Sequence, residues 1–595
     1  MPHRIAPASR GLVPTQAIRK LASFIYSPAG SFLLILIFCI STIFLPVYLG
    51  IDHANMDMRA YLSFANEVAH TVASGTLLPS WSNEFAGLGS LAIRLYPPLS
   101  SYVTAFIQAF TADWYFTVLI YYFGWMAVGC WGCYLFVAAY ADRKYALLAG
   151  LLAAIAPFPL AEIYQFNVYA QFAAGSVVPF CFYFCTRVIT YQEWKDVLWL
   201  SIALSFVLLT HIPTAIFTGL TLSAYSIFLI VQTTSWRAIV MLFSASFLSL
   251  SATAFYWFRL VTELDWVAHN GSEYRSGIYS YTHWLFPSSI SADMTVLMFL
   301  YRRIDVLVLI QVALLIPSLL VLFLKGLSYL RKRPVIFGLS ACSLLALLMI
   351  SKPSAIVWEH FDVLQKTQFP WRWLAVITPL SIIAFVIGIA ELRFLRPDRK
   401  GLWTFGTLLA ISLFLMYDIR LNFREPSGTS KIDFEQNFAP EKSPLGSEHQ
   451  MWWPVWAKTE ALNGAGQIKA DDRLIDTYQW STSERHFLVG PGQPTDVRIP
   501  TFYYPYWKAV VNGNSVEVRR DELGLILVPV GADRSDVQLV FEEPLKNRIA
   551  VILSAGAWAV ILVTGTWLLL SGWRRRKLKS VDRHKNSGSP TNDSC

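Results

Sequence analysis

Charge is scarce in this sequence. Only 15% of its 595 residues are Asp, Glu, Lys or Arg, where a soluble domain carries about 25%, so an ordinary soluble globule is excluded. Cysteine is scarce where a cross-link would need it. Of seven Cys, six (Cys39, Cys130, Cys133, Cys181, Cys185 and Cys342) lie inside apolar runs and Cys595 ends the chain. None falls in the polar stretch 419–547, which excludes a disulfide framework there. The "CWGC" at 130–133 has redox-motif spacing, but its place in mid-helix among aromatics argues against redox or metal chemistry. Internal repeats are missing. So is a small-residue cleavage site after "SFLLILIFCISTIFLPVYL", a run too long for a signal peptide, which reads as a retained first span behind Arg4, Arg10, Arg19 and Lys20.

What the chain has instead is apolar length. Hydrophobic residues make up 55% and aromatics 15%, and most apolar runs are long enough to cross about 30 Å of hydrocarbon at ~1.5 Å per residue. The pattern predicts twelve transmembrane helices, near 31–50, 115–140, 145–163, 170–190, 196–211, 213–233, 237–260, 304–325, 334–351, 373–394, 401–418 and 549–572. The apolar segment "YPPLSSYVTAFIQAF" (96–110) is short and opens with two prolines. Reading it as an interfacial or re-entrant helix leaves "ADRK" (141–144), Arg187 with Lys195, Arg237, "KGLSYLRKR" (325–333), "RFLRPDRK" (393–400) and "RRRK" (574–577) all cytoplasmic. The net charge of +9 then follows from topology, and no nucleic-acid partner is implied. The bilayer is the expected partner, with the chain multi-pass in an inner (plasma) membrane and both termini cytoplasmic.

This topology divides the chain into a cytoplasmic N-terminus (1–30), a transmembrane core (31–418) with a first outer loop at 51–114, an outer domain (419–547), a last span (548–572) and a basic, disordered tail (573–595). In the outer domain "RHFLVG", "TDVRIPTFYY", "WKAVVNG", "NSVEVRR", "LGLILVPV" and "SDVQLVFEE" alternate as strands, with "NGNS" as a hairpin turn. A small periplasmic β-sandwich is expected.

The first outer loop carries unusual ionisable groups. Asp52, His53 and Asp57 follow the first span directly. "DMRAYLSFANEVAHTVASG" is amphipathic, with Asp57 and Tyr61 at i and i+4, and reads as an interfacial helix whose N-terminus favours an anion. Asp57 as a plain helix cap is the simpler alternative.

These residues also carry a resemblance. "Asp57-x-x-x-Tyr61-Leu62", "SG" (74–75), "PSW" (79–81), "GLG" (87–89) and "YPPL" (96–99) are similar to the first outer loop of GT-C glycosyltransferases. Within that superfamily the chain resembles the bacterial 6-pyruvoyl-tetrahydropterin-synthase-related membrane proteins, akin to YfhO-type proteins. "THIPTA" (210–215), "FPWRW" (369–373), "WWPVW" (452–456) and "FYYPYWKAVVNG" (502–513) extend the likeness from about residue 45 to 572. Three positions depart from the pattern: Tyr61 stands where His is usual, Ser80 where Arg is common, and Gln171 where an acid is frequent.

The resemblance implies an inverting transferase that moves a sugar from a polyprenyl-phosphate donor to a cell-envelope glycan or lipid on the outer face. Asp57, or its neighbour Asp52, would act as general base on the acceptor hydroxyl. The phosphate is a good leaving group, so no paired acid is required, but a cation for its developing charge is. Candidates at outer span ends are Arg372, Arg302, Arg303, Arg259 and Lys352; snorkelling to headgroups is the plainer reading for Arg302 and Arg303. His53, Tyr61, Trp81, Tyr96, Gln171, His211 and Glu263 are candidate cavity residues, each with a plainer role in capping, packing or an aromatic belt. No ligand set at metal spacing is present beside Asp52 and His53, so no cofactor is called for. Two rivals stand: a flippase for lipid-linked sugars, which would favour charges at mid-membrane, and a catalytically silent assembly protein.

Topology is testable directly. Gly326→Cys and Lys400→Cys should be shielded from an impermeant thiol reagent in intact cells, and Ser430→Cys and Asn512→Cys should react. Labelling of Lys400→Cys without permeabilisation would sink the twelve-span reading.

Overall fold

The computed structural model describes residues 20, 23–48, 58–83, 85, 87–166, 168–288, 298–326, 328–392, 410, 431–440, 447–463 and 466–586. Eight helices among them are long and apolar enough to span a membrane: Pro28–Tyr48, Trp114–Ala138, Arg143–Phe166, Tyr169–Tyr191, Ile212–Thr233, Arg302–Lys325, Pro370–Leu392 and Leu545–Leu568. A ninth is reached if the bent pair Trp236–Ala252 and Ala254–Trp266 counts as one. Two expected spans, Trp194–Thr210 and Pro334–Ile350, form helices of 17 residues each. The expected span at 401–418 lies outside the described residues apart from position 410. The short helix Pro98–Thr111 stands apart from the spans, opened by its proline and closed by Ala112 in the left-handed region. At the other end of the chain the last helix continues to Asn586. The stretch "RRRKLKSVDRHK" holds no helix breaker and is rich in helix formers.

The 73° bend after Ala252 has a local cause. Thr253 Oγ1 donates back to the Ser249 carbonyl at 2.8 Å, a bond that competes with the helix. The Phe255 N–H released by the break is accepted by Ser554 Oγ of the last helix at 2.9 Å, and Ser554 in turn donates to the Ser251 carbonyl. Beyond the bend, Tyr256, Arg259 and Glu263 are buried along one helix face. Spacing of three and four residues puts the arginine and the glutamate side by side, turned toward the soluble domain.

That domain is antiparallel throughout. Its strands are β1 (Ile475–Trp480), β2 (Glu484–Val489), β3 (Thr495–Phe502), β4 (Trp507–Val511), β5 (Asn514–Val516), β6 (Arg519–Arg520), β7 (Leu525–Val530) and β8 (Ser535–Phe541). They form one sheet in the order β1-β2-β8-β4-β5 and another in the order β3-β7-β6. Alternation works as the sequence predicts: Val537, Leu539 and Phe541 of β8 point inward and Asp536 and Gln538 outward. Asn512 and Gly513, both with positive φ, make the β4–β5 turn. The sequence pattern misses β1, an edge strand whose inner positions are exposed.

The first loop packs under this domain. Trp81 of "PSW" is fully buried against Tyr504, Trp507 and Phe541. "GLG" supplies two left-handed glycines, Gly87 (φ 88°) and Gly89 (φ 92°). At Gly89 a Cβ would stand 2.1 Å from Trp81 Nε1. Gly75 has the same backbone sign but open space around it. Gly89→Ala should therefore lower the thermal unfolding midpoint in detergent, with the ~1–3 kcal/mol of a strained φ plus displacement of Trp81. Gly75→Ala bears the φ strain alone and should cost less; equal losses would refute the packing role.

Candidate functional site

Two constellations occupy the end of the bundle opposite its basic loops. The first is a junction of charges. Arg94, on the four-residue helix Ala92–Leu95, is buried completely. Its Nε donates to Glu263 Oε2 at 2.6 Å and its Nη2 to Glu263 Oε1 at 2.8 Å. Nη1 and Nη2 also donate to Glu543, the residue that links the β-domain to the last span. Arg259 reaches Glu543 at 3.1 Å. Tyr504 and Tyr506 hydroxyls donate to Glu263, at 2.6 and 3.3 Å, and Asn547 donates to both carboxylates. Ser80 Oγ donates to Glu543 at 2.5 Å.

Burial opposes charge on Glu543, yet the bonds from Arg94 and the nearby Arg94 and Arg259 charges hold it down at about 2. Burial likewise opposes charge on Arg94, and its two carboxylate partners raise it above the ordinary guanidinium value. A second arginine crosses the same interface. Arg485 lies inward on β2, between the rings of Trp480 and Trp507, and donates to Asn83 Oδ1 at 2.7 Å. Burial brings it down to about 9, against the attraction of Glu67. Glu67 itself is raised, chiefly by burial.

The second constellation is aromatic. Tyr61 stacks on Tyr169 (5.4 Å) and meets Tyr96 edge-on, their hydroxyls 3.3 Å apart. Tyr96 abuts Trp452, which stacks on His269, which stacks on Tyr274. From Tyr274 the contacts pass through Tyr279 to Phe369, then Trp371, then Phe166. Backbone bonds fix the members: Leu91 N–H donates to the Trp452 carbonyl, and Ala268 N–H to that of Trp453. Arg372 lies over the Phe369 ring at 4.8 Å, with Nη1 on the Thr367 carbonyl at 2.8 Å. Burial, and then Arg372, push His269 down to about 4, so it is neutral at pH 7.

The sequence-derived candidates divide between the two. Arg259 and Glu263 belong to the junction, and Trp81 is packed beneath the β-domain rather than lining a cavity. Tyr61, Tyr96 and Arg372 belong to the aromatic set. His211 caps Ile212–Thr233 through Thr214 and lies within electrostatic reach of Arg372. Arg302 is exposed at its helix start and Arg303 is buried. Asp52, His53 and Asp57 lie outside the described residues; the interfacial helix begins at Met58. Among the described residues no three His, Cys, Asp or Glu side chains group as metal ligands.

Sequence reasoning missed Arg94, Glu543 and Glu162. Glu162 is buried in a π-helical turn (Glu162–Phe166), accepts from Gln171 Nε2 at 2.9 Å and lines a cavity of about 50 Å³ with Ser176 and Thr378. Tyr164 pins that turn to the Thr42 and Ile43 carbonyls. The signal for Arg94 and for Glu162 was a lone charge in an apolar context, "LAIRLYPP" and "PLAEIYQF".

Arg94→Gln would leave two buried carboxylates short of their cation. The expected loss is about 3–5 kcal/mol, read as earlier thermal unfolding and faster proteolysis within 466–543. Glu543 titrates from 4.5 in the unfolded chain to about 2 in the folded one. Its stabilisation is therefore complete above pH 4.5 and lost as pH falls through 2. In Glu543→Gln that acid-side loss should flatten; an unchanged profile would contradict the pairing.

A family model described as "6-pyruvoyl-tetrahydropterin synthase related domain; membrane protein" matches residues 93–425. No curated protein matches. Among solved structures, ArnT from Cupriavidus metallidurans is similar in two crystal forms. The complex with undecaprenyl phosphate gives 15% identity, 64% of this chain and 63% of that one, and a TM-score of 0.39. The apo state gives 15%, 63%, 62% and 0.38. The chain thus spans less than two thirds of ArnT, and so loose a superposition assigns no activity. The family match covers more than half of the sequence, and with the apolar helices around it, the chain belongs to the 6-pyruvoyl-tetrahydropterin-synthase-related membrane proteins.

Proposed function

We propose that this protein is a GT-C-type glycosyltransferase. It would take a sugar from a polyprenyl-phosphate donor and place it on a cell-envelope glycan or lipid, at the outer face of the inner membrane. The observation that carries the reading is the setting of Arg372. The residue is half-buried in the "FPWRW" motif, its guanidinium over Phe369, with His211 and His269 within electrostatic reach. A planar guanidinium presents paired donors to a phosphate, and neutral imidazoles beside it add no competing positive charge. Arg259 is a weaker candidate, because Glu543 already neutralises it.

In this reading Asp57 takes the acceptor's hydroxyl proton as the oxygen attacks the anomeric carbon. The bond from that carbon to the phosphate oxygen breaks, the configuration inverts, and Arg372 balances the charge left on the polyprenyl phosphate. The β-domain, joined to the first loop through Trp81, Arg94 and Arg485, covers this end of the bundle and shapes the choice of acceptor.

Asp57→Asn keeps the size of the side chain but cannot accept the proton, so transfer should fall by about 10²–10⁴-fold. A mere cap would cost roughly 1 kcal/mol of local stability and leave turnover near normal. Arg372→Lys should weaken donor binding while membrane insertion survives. Asp52→Asn is the comparison: if it abolishes transfer and Asp57→Asn does not, the wrong carboxylate has been chosen. If neither acid matters to any transfer reaction, the flippase and silent-scaffold readings replace this one.

A further inference from the structure

The aromatic contacts run from one stretch of chain back to nearly the same stretch. They start at Tyr169, pass through the first loop, the "WWPVW" segment and the stretch around His269, and return through "FPWRW" to Phe166, three residues before the start. Packing alone does not account for their exposure. Rings of the adjoining junction, Trp81, Trp453 and Trp507, are buried to 2% or less. In the circuit Tyr169, Phe166 and Trp371 are buried where it meets the bundle, whereas Tyr61, Tyr96, Trp452, His269, Tyr274, Tyr279 and Phe369 are only half-buried. A hydrophobic core hides its rings, whereas a binding surface keeps aromatic faces and polar edges within reach of a ligand.

We propose that this circuit is a sugar-binding collar, which receives a pyranose against its half-exposed rings while Arg372 holds the phosphate attached to it. The inference rests on the donor reading above and extends it to Trp452 of "WWPVW" and to His269, which lies outside the recognised motifs. A pyranose has one apolar C–H face and a rim of hydroxyls. The collar offers the complement: aromatic faces, phenolic edges at Tyr61 and Tyr96 only 3.3 Å apart, and a neutral imidazole able to donate and accept. Trp452 reaches the collar from the segment leading into the β-domain, with its backbone carbonyl tied to Leu91. The domain therefore contributes a sugar contact directly.

The test uses the full chain in detergent and calorimetric titration with farnesyl phosphate and with its glucosyl, galactosyl and mannosyl phosphodiesters. The wild type should bind at least one glycosyl ester about two- to tenfold more tightly than bare farnesyl phosphate, the range expected for one aromatic face. Trp452→Ala and His269→Ala should remove this increment and leave the affinity for farnesyl phosphate unchanged. Trp452→Phe, which keeps a ring and guards against a folding defect, should retain most of it. No increment for any of the three esters, or an increment that persists in both Ala variants, overturns the collar. Arg372→Lys separates the two ideas. If it leaves both affinities unchanged, the phosphate clamp fails; if it weakens both equally and the sugar increment survives, the collar stands independently. Titration with glucose 1-phosphate against inorganic phosphate shows whether the same increment arises without a lipid chain, as an acceptor-side sugar would require.

Discussion

A guanidinium with no contact to water must be paired, and Arg94 is that group here. Stripping such a charge of solvent costs several kcal/mol even after relaxation, so its neighbours are constrained to be carboxylates in hydrogen-bonding geometry. Glu263 and Glu543 meet the requirement, and each comes from a different part of the chain. Glu263 is available only because the helix bends at Thr253 and carries its inner face across. Glu543 is available only because the β-domain returns to the bundle at this point. Tyr504, Tyr506 and Asn547 then fill the remaining acceptor positions. First loop, kinked helix, β-domain and last span thus share one electrostatic constraint.

The collar is mechanically continuous with this junction. Arg94 and Tyr96 are two residues apart, and between them the Leu95 carbonyl accepts from Tyr256 at 3.1 Å, on the same helix face as Arg259 and Glu263. On the other side, Leu91 and Trp452 are joined through the backbone. Rigid charge pairing under a half-exposed aromatic surface is a common way to hold ligand-facing side chains in fixed rotamers.

Much of this was legible in the sequence because it is local. Apolar run length gave the long helices among the described residues, and six alternating segments cover seven of the eight strands, "NSVEVRR" being divided between β5 and β6 and the exposed edge strand β1 left out. The motifs "PSW", "GLG", "WWPVW" and "FYYPYW" were visible as a group, and they meet at one interface. What the sequence concealed is pairing over distance. Arg94 and Glu263 are 169 residues apart, and Arg94 and Glu543 are 449 apart; no periodicity carries such information. Nothing local in "LAIRLYPP" or "VFEEPLKN" marks Arg94 and Glu543 as partners. Trp81 reads as an interfacial ring, and only the tertiary fold reveals it as the residue that demands glycine at 89. Glu162 was hidden in another way, since a π-helical turn has no distinct sequence period.

The position of Glu543 also orders events during synthesis. It is two residues short of the last span, whereas Arg94, Arg259 and Glu263 are all made within the first half of the chain. Between the synthesis of Glu263 and that of Glu543, then, two arginines face a single glutamate, and the junction lacks the carboxylate that balances its second positive charge. That charge is neutralised only when the β-domain has emerged and its final strand leads back to the membrane. The closing counter-ion thus comes late, and the junction of Arg94, Arg259 and Glu263 is balanced only once residue 543 has been made.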